Sequence, residues 1–261
     1  MFTHAIVRLP AANFADGLTT VDLGAPQFDR ALEQHARYCQ ALTECGLELT
    51  TLEADARFPD STFVEDTAVL TPRGAILTRP GAESRAGEVD AIRTSLLNFF
   101  PSLLIIEAPG TVDGGDICEA GEHFIIGISR RTNYEGARQL AAHLAALGYT
   151  SSTIDVRGMN TILHLKSGIS FIGGEGIGGN TIVVMEEMAG EPELQGYDLI
   201  RVLPEESYGA NCVRVNDRVL VAEGHPHLAA QLGARGFKPL ALDMSEFQKM
   251  DGGLSCLSLR F

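Results

Sequence analysis

The chain has 261 residues, of which 45% are apolar and 21% charged, and its formal net charge is −14. That length can bury a substantial core, and the composition is ordinary for a globular protein. The acidic balance argues against nucleic acid or an anionic membrane as partner, since both want a basic face.

Residues 1–5 carry no basic segment leading into an apolar run, and no apolar stretch reaches the thickness of a bilayer. Neither a signal peptide nor a membrane span is expected. The five cysteines are Cys39, Cys45, Cys118, Cys212 and Cys256, with no CxxC pair. An odd, scattered set is neither a disulfide framework nor a zinc module, and a reducing cytoplasm is the expected compartment.

Residues 3–9 read as a strand ended by Pro10, and residues 13–20 as a polar loop. Apolar residues fall at helical spacing over 27–45, with Gly46 as the stop, and 47–52 alternates like a strand. A repeating order follows. Strands over 67–70 and 75–78 flank the turn Thr71-Pro-Arg-Gly74, and a helix covers 88–100. Strands then flank Gly121-Glu122, with a helix over 133–147. A third unit has strands on either side of Ser167-Gly168 and its helical part around 182–188. A fourth turns at Asn216-Asp217 and carries a helix over 226–235. The fifth, residues 251–261, runs out after one strand.

The polar residues that lead these units are Asp66, Asp116, His164, Asn211 and Cys256, spaced by 50, 48, 47 and 45 residues. A period near 47 signals an internal repeat. Each unit exposes an apolar face that only a neighbour can cover, and five closing in a ring is a propeller-like solution. The spare first strand pairs with the last to close that ring. An open parallel sheet is the competing fold, but tight turns join antiparallel strands. The predicted class is therefore α/β: one domain over 1–261, a five-bladed pseudosymmetric propeller of ββαβ units.

In such a ring the leading residues converge on one cavity. Glu65, Asp66, Asp113, Asp116, His164, Asn211 and Cys256 would meet there. Taken singly, each has an ordinary reading: a core cysteine, a hydrogen-bonded histidine, turn-shaping aspartates. Taken together they supply a nucleophile, an acid/base and carboxylates. Four carboxylates, with no lysine at the leading positions, favour a delocalised cation, and a planar guanidinium pairs best with them. Metal binding is the competing use, but the candidate ligands are single residues far apart in sequence.

Seven ordered stretches carry a resemblance. They are Phe58-Pro-Asp-Ser-Thr-Phe-Val-Glu-Asp66, Thr78-Arg-Pro-Gly-Ala-Glu-Ser-Arg85, Asp113-Gly-Gly-Asp116, Ser129-Arg-Arg-Thr-Asn133, Leu163-His-Leu-Lys166, Ala210-Asn-Cys212 and Asp251-Gly-Gly-Leu-Ser-Cys256. Over essentially its whole length the chain resembles the dimethylarginine dimethylaminohydrolases. These lie within the guanidino-modifying superfamily that includes arginine deiminases and amidinotransferases. The resemblance implies the pentein-like α/β propeller and hydrolysis of Nω-methylated arginine to citrulline and a methylamine. It implies Cys256 as nucleophile, His164 as general acid/base and Asp113 as the acid of the triad, where bacterial relatives often carry glutamate. Asp66, with Glu65 beside it, would hold the guanidinium. Asp60 would meet the substrate α-amino group, and Arg85 and Arg131 its carboxylate. Backbone near Leu18 and Met250 would complete the pocket, with residues 13–20 as a lid. No cofactor or metal is implied. The expected partner is a small cationic substrate, and a homodimer is allowed for. The alternatives are an arginine deiminase, a propeller used only for binding, as in an initiation factor of this fold, and a zinc hydrolase.

Overall fold

The computed structural model describes residues 1–159, 161–174 and 178–261. The chain begins with β1 (His4–Arg8), crosses through α1 (Phe28–Glu44) and returns as β2 (Glu48–Leu52), parallel to β1. Next come β3 (Ala68–Thr71) and β4 (Gly74–Leu77), an antiparallel hairpin. Helix α2 (Val89–Leu96) then carries the chain to β5 (Leu103–Ile105), parallel to β4. The order repeats in β6 (Ile117–Ala120), β7 (His123–Ile128), α3 (Tyr134–Ala146) and β8 (Thr150–Asp155). The fourth sheet holds the short turn α4 (Leu165–Gly168), then β9 (Ile169–Phe171), β10 (Thr181–Met185) and β11 (Asp198–Val202). The fifth is β12 (Val213–Val215), β13 (Arg218–Ala222), α5 (Pro226–Ala234) and β14 (Lys238–Leu242). The chain ends with α6 (Ser245–Gln248) and β15 (Leu259–Arg260).

Among the described residues these strands form five three-stranded sheets, and β15 joins β1 and β2. The expected closure is therefore present, antiparallel, with Ala5 opposite Arg260 and Ile6 opposite Leu259. Backbone N–H groups of Thr3 and His4 donate to the Phe261 carbonyl at 2.9 and 2.8 Å. The Phe261 ring lies edge-on to Phe99 at 4.9 Å and stacks on His4 at 5.6 Å. The seam is thus held by apolar packing as well as by the ladder. Phe261→Ala should lower the unfolding free energy by about 2 kcal/mol in urea denaturation. An unchanged midpoint would show that the ring does not hold the seam.

The third unit departs from the expectation. Residues 181–185 form β10, with short 3-10 turns at Glu186–Met188 and Pro192–Leu194 in place of a helix. The run Ile182-Val-Val-Met185 is buried throughout, and a short β-branched run covered on both faces is a central strand. The partner of β9 is β10, and the segment before Ser167 is the turn α4.

The period has a physical cause. Asp66, Asp116 and Asn211 sit at the same place in the first, second and fourth repeating units, at the turn that feeds the inner strand. Each uses a side-chain oxygen to accept a backbone N–H from another unit's turn. Gly115 donates to Asp66 Oδ1 at 2.8 Å, Leu165 to Asp116 Oδ1 at 3.0 Å, and Ser255 to Asn211 Oδ1 at 3.0 Å. These ties satisfy turn N–H groups that have no strand partner in the interior. The apolar core lies between and outside the sheets, where the helices cover them, and the axis is polar. His164 and Cys256 occupy the two remaining leading positions, and their side chains are turned to other uses.

Candidate active site

The cleft at one end of the axis is lined by Leu18, Asp60, Phe63, Asp66, Arg85, Arg131, Leu163, His164, Met250, Asp251, Gly252 and Cys256. Eight of the twelve residues singled out from the sequence are among these, and Asp113 stands directly behind His164. Its Oδ2 lies 3.1 Å from His164 Nε2. The aspartate side chain, short as it is, reaches the imidazole. It is fully buried, and its Oδ1 accepts the Gly81 N–H at 2.7 Å while its own N–H donates to Thr132 at 3.1 Å. The carboxylate is fixed on both sides and orients the ring. Gly81 must be glycine, because a Cβ there would lie 2.1 Å from the Arg131 carbonyl oxygen.

Glu65 does not join the cleft. It and Asp66 are neighbours on one 3-10 turn, Val64–Thr67, and their side chains leave it toward opposite ends of the axis. Glu65 faces a second cavity of about 720 Å³, larger than the cleft and not lined by Cys256, although its charge still acts on the thiol. There it pairs with Lys166 Nζ at 2.5 Å and accepts from Ser255 Oγ at 2.6 Å. This geometry does not favour a role for Glu65 in holding a guanidinium in the cleft; its partner Lys166 lies two residues past the leading position of its unit. Asp116 and Asn211 are likewise outside the cleft, taken up by the ties between units. Asp116 also accepts the hydroxyls of Ser129 and Thr132, both at 2.6 Å.

Arg85 is only 5% exposed and is almost saturated with partners. Nη1 donates to Asp66 Oδ2 at 2.5 Å, Nε and Nη2 donate to Glu88, and Nη2 also donates to the Phe63 carbonyl. It holds Asp66 in place and offers little to a ligand. Glu88, three residues on, escaped the sequence reading, although that i, i+3 spacing was the available signal. Arg131 reaches the cleft and makes no side-chain hydrogen bond among the described residues, so its cation is open to an anionic group. Asp60 is buried, and both its oxygens accept the Leu18 N–H, at 3.0 and 3.1 Å. Phe63, Leu163 and Gly252 add apolar wall. The remaining space is about 30 Å³, so a substrate enters only if the segment carrying Leu18 moves.

The charges of the site act on one another. Burial and the nearby Glu65 and Asp66 carboxylates push the Cys256 thiol up to about 12. Its Sγ accepts the Gly253 N–H at 3.3 Å, too little to offset them. Burial would lower His164, but the carboxylates of Asp66, Asp116 and Asp113 outweigh it and raise the imidazole to about 9. Burial would raise Asp66, yet His164 and Arg85 together hold it below the usual carboxylate range. At neutral pH the resting cleft thus contains a thiol, an imidazolium and an ionised Asp66. Ligand atoms of Asp66, Asp113 and His164 lie within 4.8 Å of one another. A cation placed among them would compete with Arg85 and Gly115 for Asp66 and with Gly81 for Asp113.

No protein-family model matches the chain. Among known proteins it is 45% identical over 262 residues to the N(G),N(G)-dimethylarginine dimethylaminohydrolase of Pseudomonas aeruginosa, with both chains covered in full. It is 34% identical to the protein of the same name from Streptomyces coelicolor, covering 98% of this chain and 96% of that one. A solved structure of the Pseudomonas aeruginosa protein, a cysteine-to-serine variant complexed with citrulline, matches all of both chains with a TM-score of 0.95. Likeness of this extent spans every unit of the ring and every segment that reaches the cleft. The chain belongs to the dimethylarginine dimethylaminohydrolase family.

Proposed function

We propose that the protein hydrolyses Nω-methylated arginine, dimethylarginine above all, to citrulline and a methylamine or dimethylamine through a covalent adduct on Cys256. One observation carries the reading: a thiol, an imidazole backed by a carboxylate, and a second carboxylate reach one small cleft from different units. Citrulline bound to the Pseudomonas aeruginosa relative supports the product assignment. Asp66 faces the guanidinium, Arg131 takes the substrate carboxylate and Asp60 the α-amino group, with Leu18 and Met250 closing the pocket.

The resting charges give the order of steps. A guanidinium arriving beside the thiol favours the thiolate, which is the form that attacks; because His164 is already an imidazolium, the thiol proton is lost to solvent. The sulfur bonds to the central carbon, and the tetrahedral adduct expels dimethylamine as His164 passes it a proton. A thiouronium on Cys256 remains. His164, now neutral, takes a proton from water, which attacks the same carbon. The carbon–sulfur bond breaks and citrulline leaves. Asp113 keeps the imidazole in register through both halves. Two moderate steps replace one difficult displacement. The chemistry fits a reducing cytoplasm, where a free thiol persists. Among the described residues no helix is long and apolar enough to cross a membrane.

The test measures dimethylamine and ammonia release from dimethylarginine and arginine. Dimethylarginine should be the better substrate in kcat/KM by about tenfold or more, because a pocket with apolar walls favours the methyl groups. Faster ammonia release from arginine would replace this reading with an arginine deiminase.

A further inference from the structure

Two non-glycine residues among those described have φ in the left-handed region, Asn216 at 54° and Asp251 at 57°. That region favours glycine, and a side chain kept there needs a reason. Asn216 has one: its amide bonds the backbone of Phe2 and Cys45 across the ring seam. Asp251 has the same kind of reason at the cleft. Its Oδ2 accepts the Thr20 N–H at 2.5 Å, across 231 residues of sequence.

That bond belongs to a set. Thr19 Oγ1 donates to the Lys249 carbonyl at 2.9 Å, Lys249 Nζ lies 3.5 Å from the Ala25 carbonyl, and Gln27 donates to Glu246 at 2.7 Å. Beyond Leu18, then, these bonds tie the end of the lid and the chain that follows it, through Gln27, to residues 246–251, the segment that runs through Met250 and on to Cys256. Phe14 anchors the other end of the lid, buried against Phe63 and Phe247. Of these ties, Asp251 alone is also part of the cleft wall.

We propose that Asp251 is a positioning residue for the reaction: its carboxylate fastens residues 18–20 to the turn leading to Cys256, so that covering the substrate and setting the nucleophile segment are one event. This rests on the reaction proposed above. Cleft closure needs the lid to come down on a defined seat, and a carboxylate receiving a lid N–H is such a seat. The left-handed backbone aims that carboxylate at the lid, which glycine at this position could not do.

The test compares Asp251→Gly with Asp251→Asn in the full-length protein, by amide hydrogen exchange without substrate and by steady-state kinetics on dimethylarginine. Glycine suits the backbone and removes the acceptor. Asparagine keeps an acceptor oxygen, tolerates the left-handed conformation and removes the charge. In D251G, exchange over residues 18–25 should speed up by about tenfold and KM should rise by about tenfold, with thermal stability unchanged or higher. D251N should restore the protection and most of the KM. Unchanged lid exchange in D251G would overturn the proposal whatever the substrate proves to be. So would D251N with wild-type exchange but the KM of D251G, since charge and not the tie would then be the cause. Absence of any turnover in the wild-type protein would sink the proposed reaction, while the exchange result would still decide the tie.

Discussion

Replacing Cys256 with alanine should lower kcat by about 10⁴-fold or more while citrulline still binds, since the alternative of direct attack by water on a guanidinium is very slow. The wild-type thiol should also be inert at rest. With the group pushed up to about 12, alkylation by a neutral reagent such as iodoacetamide should be slow at pH 7. It should rise about tenfold per pH unit into the alkaline range, following the thiolate fraction. A cationic haloacetamidine should react far faster at pH 7, because its charge does for the thiol what the substrate charge does. The two reagents thus separate intrinsic reactivity from reactivity conferred by a bound cation. Maximal iodoacetamide labelling already at pH 7 would show a stable resting thiolate, and the charge ordering described for the cleft would be wrong.

Asp66→Asn should be costly in two ways. It leaves the Arg85 guanidinium, 5% exposed, facing a neutral partner in place of an anion. Breaking a buried pair from one side is strongly destabilising, and with Glu88 still in place the loss should be about 3 kcal/mol. It also removes the carboxylate that faces the reacting cation, so kcat/KM should fall by about 10³-fold. Glu88→Gln is the control. It disturbs Arg85 comparably but lies outside the cleft, so its stability loss should come with a much smaller loss of activity. Equal activity losses in the two variants would mean that Asp66 acts only through Arg85.

The same group contributes to the acid limb of stability. Asp66 is held below the ordinary carboxylate pKa, so its contribution is present above that value and disappears as the pH falls through the depressed one. D66N should flatten that limb in urea melts run from pH 5 downward. His164 behaves in the opposite sense. Its pKa is raised from 6.5 to about 9, so its contribution is complete below 6.5 and is lost as the pH climbs through 9.

The primary structure alone determined the repeat, the class of fold and most of the cleft. Polar residues near every forty-seventh position mark turns that must be tied to a neighbour, and strand, turn and helix patterns between them are local in origin. The ring closure followed from one spare strand at each end. Tertiary structure decided the rest, because it concerns direction rather than identity. Nothing in Glu65-Asp66 says that adjacent carboxylates part toward opposite ends of the axis, one to Lys166 and Ser255, the other to Arg85 and the cleft. Asp116 and His164 lead equivalent units, yet one side chain ties two units together while the other is held by Asp113 in the cleft that Cys256 also lines. The strand over 181–185 was hidden because a run buried on both faces has no alternation to reveal it. Asp251 stands before a glycine pair in the sequence, and only folding brings Thr20 to it. Periodicity is written along the chain, whereas the partner of a buried charge is set by residues dozens or hundreds of positions away.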